Sequence, residues 1–190
     1  MWHTDLTEIL GFVTGALCVW LLARQNIWNW PVGIANNIFY IVVFLRSGLF
    51  GDAGLQVFYI ALATYGWWTW AFPNGKRAEL AVAKTSRSQW IWLIPATAAT
   101  ALLLRAFLAK FTPSTVPAWD GLTTALSLAA TWGQCKKLAE SWWIWIAADL
   151  IYIPLYAYKE LRLTAVLYFV FLLLCVGGLR AWRRALAEPL

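Results

Sequence analysis

Long runs without any charged residue are the feature of this sequence that most restricts its fold. Asp, Glu, Lys and Arg are all absent from 25–45, 53–75, 88–104 and 163–179. A helix needs about 20 mostly apolar residues to cross the hydrocarbon core of a bilayer. Only 13% of the residues are charged, against roughly 25% in a soluble domain. The chain is therefore predicted to be an all-α integral membrane protein.

The hydrophobic pattern predicts seven transmembrane helices. Their approximate bounds are 6–23, 28–45, 53–72, 89–109, 119–135, 141–158 and 163–180. The two longest polar stretches, 73–88 and 110–120, flank the fourth span. We therefore expect this helix to be a linker between two halves of the molecule.

The second half of the chain repeats the first without a gap at a shift of 112 residues. Three tryptophan pairs coincide in this register, together with one glycine pair, one tyrosine pair and an Asn–Asp pair: Trp20/Trp132, Trp30/Trp142, Trp70/Trp182, Gly66/Gly178, Tyr40/Tyr152 and Asn37/Asp149. Because one helix separates the repeats, both have the same orientation, which predicts two parallel three-helix repeats in a 3+1+3 arrangement. The predicted parts are a first repeat at 6–72, a linker region at 73–118, a second repeat at 119–182 and a cytoplasmic tail at 183–190.

The sixth span carries an acidic residue, Asp149, near its middle. A carboxylate in hydrocarbon costs at least about 2.5 kcal/mol unless it faces a bundle interior or a water-filled cavity, so such a residue is a functional candidate. Trp145, Tyr152 and Tyr156 share its helix face. This face suits a flat, cationic or hydroxyl-bearing solute. The alternative is that the aromatic residues are interfacial anchors and that Asp149 bonds a neighbouring helix.

Amide side chains in the second and third spans are further candidates for substrate contacts. Asn36 and Asn37 lie within the second span, where Asn37 shares a face with Tyr40; Gln56 and Tyr59 share a face of the third span. Each amide can donate and accept hydrogen bonds. The alternative role is interhelical bonding at a packing face. In a parallel-repeat transporter the substrate lies near the midplane where the repeats meet.

Several classes of function are excluded by what the sequence lacks. The net charge of +6 comes from basic residues in short loops beside the spans, which indicates membrane orientation and not nucleic-acid binding. His3 is the single histidine and no GxxxxGK[ST] loop occurs, so neither a histidine-based active site nor ATP hydrolysis is expected. The three cysteines are isolated within apolar segments. We predict no enzyme activity, no cofactor and no metal.

The distribution of Lys and Arg predicts the orientation in the membrane. One side carries ten of them: Arg24, Lys76, Arg77, Lys84, Arg87, Lys136, Lys137, Arg180, Arg183 and Arg184. The opposite side carries five: Arg46, Arg105, Lys110, Lys159 and Arg162. Since the richer side faces the cytoplasm, the C-terminus is predicted inside and the N-terminus outside.

Two segments and their arrangement resemble a known family. The run NWPVGIANNIFYIVVFLRSGLFGDAGLQVFYIALATYGWWTW and its counterpart WWIWIAADLIYIPLYAYKELRLTAVLYFVF are similar to the bacterial nicotinamide riboside transporters of the PnuC family. The resemblance implies a SWEET-like fold, a homotrimer in the bacterial inner membrane, and facilitated diffusion of nicotinamide riboside. Uptake is then made one-way by intracellular phosphorylation. Related members carry thiamine or riboflavin.

Two other functions stay open at this point. A proton-coupled carrier would use Asp149 as its proton site, and a structural or signalling membrane protein would use it only to join helices. The predicted substrate contacts are Asn36, Asn37, Tyr40, Gln56, Tyr59, Trp145, Asp149 and Tyr152.

Overall fold

The computed structural model describes residues 6–46, 50–75, 78–112, 114–158, 160 and 162–187. This described part is all helical, with seven α-helices and no β-strand. The helices are α1 Leu6–Ala23, α2 Asn29–Arg46, α3 Phe50–Ala71, α4 Arg87–Phe111, α5 Pro117–Cys135, α6 Ser141–Tyr158 and α7 Arg162–Ala187. The predicted number and type of helix are confirmed.

Helices α4 and α7 are longer than their predicted spans. Helix α7 ends at Ala187, so 183–187 continue the helix instead of starting a separate tail; Ala, Arg and Leu, which dominate this stretch, are strong helix formers. Helix α4 begins at Arg87 because Ser86 and Gln89 form a reciprocal capping box. His3, Lys76, Arg77, Lys159 and 188–190 lie outside the described residues.

Large apolar side chains cover much of the protein surface. Helix α4 has no buried residue, and Trp92 and Leu103 on it are 76% and 72% exposed. Among the described residues, two helical segments are long and apolar enough to cross a membrane by length and composition alone, Arg87–Phe111 and Thr164–Ala187. A helix with apolar side chains exposed on every side is stable in lipid and not in water.

The described residues form two compact units, divided between Ala81 and Val82. In the first unit, α2 packs against both α1 and α3. In the second unit, α6 packs against both α5 and α7, and α4 packs against α5. The middle helix of each three-helix group therefore contacts both of its neighbours.

The turns α1–α2 and α5–α6 have the same backbone conformation. Gln25 and Lys137, which are 112 residues apart, both have positive φ, at 55° and 50°. The amide of Asn26 donates to the carbonyl of Leu21 at 2.9 Å, and the amide of Leu138 donates to that of Gly133 at 2.9 Å. Helices α1 and α5 therefore end in the same Schellman-type cap.

A Trp–Gly–Trp cluster recurs in both units in the same geometry. Trp30 and Trp70 meet edge to face, with ring centroids 5.4 Å apart and planes at 88°. Trp142 and Trp182 do the same at 5.4 Å and 88°. The first ring of each pair covers a glycine, Gly66 and Gly178 respectively, where a Cβ would come within 2.4–2.5 Å of the indole. The 112-residue register therefore corresponds to equivalent packing in the two units, consistent with the predicted repeat.

Hydrogen bonds join the segment before α4 to the α5–α6 turn. The amide of Ala83 donates to the carbonyl of Lys137 at 3.0 Å, and that of Ala139 donates to the carbonyl of Ala83 at 3.0 Å. Thr85 donates through its amide and its hydroxyl to Oε2 of Glu140, at 2.7 and 2.8 Å. We call these contacts the Ala83–Glu140 clasp. They attach the start of α4 to the start of α6.

Candidate functional site

Asp149 is enclosed by the helices of the second unit. Its side chain is 1% exposed, and the thiol of Cys175 on α7 is within hydrogen-bonding range of its carboxylate. Oxygen Oδ2 is fully buried and has no hydrogen-bond partner in the described part of the chain. An unsatisfied buried acceptor costs about 1–3 kcal/mol, more when it is charged. Oδ2 is therefore an acceptor available to a ligand.

Trp145 lies one helical turn before Asp149, and its indole N–H is a hydrogen-bond donor that is likewise buried and unpaired. Its Nε1 is buried without a hydrogen-bond partner among the described residues. Because the two residues are spaced i and i+4, their side chains lie on one face of α6. An unpaired donor and an unpaired acceptor thus share one face of α6. The Nε1 atoms of Trp30 and Trp142 are also buried without a partner among the described residues, so the carboxylate oxygen is the group that indicates a ligand or an ordered water.

Three tyrosines, which we call the tyrosine cluster, follow Asp149 towards the α6–α7 turn. Tyr152 and Tyr156 stack on α6 with centroids 5.6 Å apart. Tyr168 on α7 contacts both, at 4.4 Å and 5.0 Å. All three rings are half-buried, unlike the fully buried pair Trp142–Trp182. Part of the aromatic surface of this cluster is therefore not buried by packing.

Helix α5 anchors the hydroxyl of Tyr152. That hydroxyl is within hydrogen-bonding range of the side chains of Thr123 and Ser127, both of which are buried. Their hydroxyls also donate to backbone carbonyls of α5, from Thr123 to Trp119 and from Ser127 to Thr123, each at 2.9 Å. The Tyr152 hydroxyl therefore faces two polar side chains of α5 whose own orientation is set by backbone hydrogen bonds.

The first unit places its predicted residues on α2 and α3. The amide of Asn36 donates to the hydroxyl of Thr14, which itself donates to the carbonyl of Leu10 at 2.6 Å. This bond joins α2 to α1, the interhelical role considered above for Asn36. Tyr40 stacks on Phe44 at 5.7 Å.

The other predicted residues of the first unit, Asn37, Gln56 and Tyr59, are half-buried. The hydroxyl of Tyr40 lies against Gly11 of α1, where any side chain would collide with it. The structure thus brings Tyr40 together with α1 by a contact that sequence reasoning did not foresee.

Four residues near Asp149 are absent from the predicted set. They are Thr123 and Ser127 on α5 and Tyr168 and Cys175 on α7. The 112-residue register already places Tyr168 opposite Gln56 and Cys175 opposite Ala63. That register could have identified Tyr168 and Cys175. For Thr123 and Ser127 the sequence offered no signal other than their spacing along a helix.

A seven-helix membrane fold with a buried, partly unpaired carboxylate in one of its helices is typical of membrane transport proteins. Residues 5–184 match the family described as "Nicotinamide mononucleotide transporter". The chain belongs to this family, whose curated relatives include the PnuC proteins.

Individual relatives differ in the solute that their names state. "Nicotinamide riboside transporter PnuC" of Escherichia coli strain K12 is 22% identical over 95% of this chain and 86% of its own length. The protein of the same name from Haemophilus influenzae is 26% identical over 93% and 78%. "Riboflavin/roseoflavin transporter RibM" of Streptomyces davaonensis is 27% identical over 95% and 85%.

A solved structure has the same fold. The crystal structure of the vitamin B3 transporter PnuC superposes with a TM-score of 0.74 at 22% identity. The match covers 96% of this chain and 82% of that one. Nearly the whole chain therefore adopts the fold of a known vitamin transporter.

Proposed function

We propose that this protein carries nicotinamide riboside across the bacterial cytoplasmic membrane by facilitated diffusion. The observation that carries the proposal is the unpaired Oδ2 of buried Asp149, on the face of α6 that also carries Trp145. The names of the E. coli and H. influenzae relatives support the choice of solute. Phosphorylation inside the cell would then prevent the riboside from returning.

The chemistry of the solute suits this face of α6. Nicotinamide riboside combines a flat pyridinium cation with a carboxamide and a ribose. Trp145 and Tyr152 offer aromatic faces for a flat cation, and Asp149 offers the opposite charge. The indole N–H can donate to a carbonyl or hydroxyl oxygen of the solute.

The predicted substrate contacts are proposed as a set that uptake assays can test one by one. Asn36 is held by Thr14, so we expect its substitution to affect stability more than affinity. Asn37, Tyr40, Gln56 and Tyr59 are proposed to bond the amide and hydroxyl groups of the solute.

We propose an inside C-terminus, an outside N-terminus and a homotrimer. The ten-to-five distribution of basic residues supports the orientation. Reporters that are active only in the cytoplasm or only outside it, fused after Leu190, test the first point. Light scattering of the detergent-purified protein tests the second, and a monomeric mass would reject the trimer.

Transport is proposed to follow alternating access between the three-helix repeats. Pro154 lies inside α6, between Tyr152 and Tyr156. Proline removes a helical hydrogen bond and permits bending at this point. The helix can therefore change its direction just beyond Asp149.

The decisive experiment measures the melting temperature of the purified protein with a panel of solutes. The panel contains nicotinamide riboside, nicotinamide, nicotinamide mononucleotide, thiamine and riboflavin. Binding to the native state stabilises it by about 2.7 kcal/mol at a hundred times the dissociation constant. A rise with the riboside, and riboside uptake by proteoliposomes, would support the proposal. No rise with any solute would reject it.

Riboflavin is the second candidate, favoured by the 27% identity to the RibM transporter. An uncharged flavin makes no use of the charge on Asp149, whereas a pyridinium does. A thermal shift with riboflavin and none with the riboside would therefore transfer the proposal to the flavin.

A further inference from the structure

The two units make the same packing contacts at equivalent positions. Comparing them can therefore distinguish residues that are needed for packing from residues that recognise the solute. The Trp–Gly–Trp clusters and the helix-ending turns are alike in both units. Both also stack an aromatic pair in the same place, Tyr40–Phe44 and Tyr152–Tyr156, at 5.7 and 5.6 Å. Residues that the fold itself needs are therefore conserved between the units.

Six of the equivalent positions that differ carry, in the second unit, a polar, charged or aromatic group that the first unit lacks: Gly11/Thr123, Gly15/Ser127, Gly33/Trp145, Asn37/Asp149, Gln56/Tyr168 and Ala63/Cys175. The polar pair of the first unit, Thr14 and Asn36, is replaced by Leu126 and Ala148 in the second. Contacts link the added second-unit groups to one another. Tyr152 meets Thr123, Ser127 and Tyr168, and Cys175 meets Asp149. Since packing alone is satisfied by the first-unit residues, the added groups call for another explanation.

We infer that recognition of the solute is concentrated in the second unit, with Tyr168 as a further binding residue and Cys175 as a positioning residue. Tyr168 supplies a half-buried ring beside Tyr152 for a flat solute. Cys175 lies within hydrogen-bonding range of the carboxylate of Asp149, where its thiol can orient the carboxylate while Oδ2 stays unpaired. The inference rests on the proposed transport of a flat solute.

Alternative uses of the two residues fit the structure less well. Tyr168 is not needed to complete a buried aromatic core, because the fully buried pair Trp142–Trp182 already fills that role on α7. Cys175 occupies a buried position that Ala63 fills equally well in the first unit. Its thiol, and not its volume, is therefore what the second unit adds.

The test exchanges each residue for its first-unit counterpart, Tyr168→Gln and Cys175→Ala. Conservative variants, Tyr168→Phe and Cys175→Ser, keep the ring or a hydrogen-bond donor. The reciprocal change Ala63→Cys in the first unit is the matched control. Uptake by proteoliposomes gives KM and the maximal rate for nicotinamide riboside, and unfolding without solute gives the melting temperature.

We expect KM to rise about three- to tenfold in Tyr168→Gln and Cys175→Ala, the effect of losing one ring face or one oriented partner. The conservative variants should recover most of the affinity, and Ala63→Cys should leave KM unchanged. Melting temperatures without solute should stay close to that of the wild type. Recovery by Ser and Phe separates these roles from mere space filling.

Two failures can be distinguished. If the wild type transports the riboside and both exchanged variants keep its KM, the inference is overturned and the proposed function stands. If the wild type neither binds nor transports any solute of the panel, the proposed function falls and the inference with it. If Tyr168→Gln unfolds, Tyr168→Leu removes the ring but keeps an apolar side chain, and a wild-type KM in that variant would overturn the role of Tyr168. The Cys175 variants change little volume and test the positioning role in any case.

Discussion

At the scale of single residues, Asp149 combines nearly complete burial with an unpaired oxygen. A residue that served only to join helices would use both carboxylate oxygens, because leaving one unpaired in a low dielectric is costly. The thiol of Cys175 is a weak donor and offsets only part of this cost. The unpaired oxygen therefore lowers the stability of the folded protein, which is typical of a binding site.

Replacing Asp149 by Asn should separate stability from transport. The variant carries the amide that the first unit has at Asn37, so its volume is preserved. We expect an unchanged or higher melting temperature without solute, because an incompletely paired buried charge is removed. Riboside uptake should fall at least about tenfold, equivalent to 1.4 kcal/mol of lost interaction. Initial rates in proteoliposomes measure this loss.

The matched control for that prediction is Asp120→Asn. Asp120 lies in the first turn of α5 and accepts a hydrogen bond from Ser114 at 2.6 Å. Its substitution should leave riboside uptake intact. Normal uptake by Asp149→Asn would contradict the role assigned to the carboxylate.

At the scale of helices, the contact between the middle and last helix of each group depends on a glycine, whose lack of a side chain leaves room for an indole ring. The indole of Trp142 occupies the space above Gly178, and that of Trp30 the space above Gly66. Tryptophan supplies a large buried area, and glycine allows the neighbouring helix to approach it. This local contact fixes the α2–α3 and α6–α7 pairs.

Gly178→Ala and Gly66→Ala should therefore destabilise the protein. A Cβ at either position would lie 2.4–2.5 Å from the indole, and overpacking of this kind costs about 1–3 kcal/mol. Gly177→Ala is the control, since nothing lies within 4 Å of its added carbon; it should stabilise α7 by up to about 1 kcal/mol through helix propensity. Thermal unfolding in detergent compares the three, and equal melting temperatures would rule out the packing argument.

The Ala83–Glu140 clasp predicts that α4 moves together with α5 and α6 during transport. A disulfide between Ala83→Cys and Leu138→Cys should form, because these residues face each other in a parallel bridge. We expect the cross-linked protein to keep its uptake rate, with the two single variants as controls. Inactivity that a reductant reverses would mean that the clasp opens in the cycle.

At the scale of the whole molecule, the proposed facilitated diffusion would take no chemical energy from this chain. The sequence lacks a nucleotide-binding loop, and the family and its relatives are transporters. A carrier of this kind only equalises the solute concentration across the membrane. Net uptake then depends on removal of the solute inside the cell.

Proteoliposomes without ATP or ion gradients should therefore fill until the internal and external riboside concentrations are equal. Initial rates should saturate with concentration, and an inward proton gradient should not raise the final level. Accumulation above equality under a pH gradient would instead favour the proton-coupled carrier, with Asp149 as its proton site. Radiolabelled riboside retained on filters measures both quantities.

Much of the fold could be predicted from the sequence, because the hydrophobic pattern is long and periodic. The uncharged runs fix where helices cross the membrane, and the 112-residue register identifies Trp30 with Trp142 and Gly66 with Gly178. Of the site, Trp145, Asp149 and Tyr152 follow from one helix face. Spacing along a single helix is enough to place side chains on that face.

The sequence by itself determined the membrane class, the seven helices and the acidic residue in the sixth span, and it predicted the internal repeat with which the packing is consistent, since each depends on local composition or on a comparison along the chain. Only the tertiary structure decided which groups on α5 and α7 meet that face. The thiol of Cys175, the ring of Tyr168 and the hydroxyls of Thr123 and Ser127 reach α6 through helix packing. Contacts between helices depend on the rotation and separation of their axes, and no pattern within one helix encodes these.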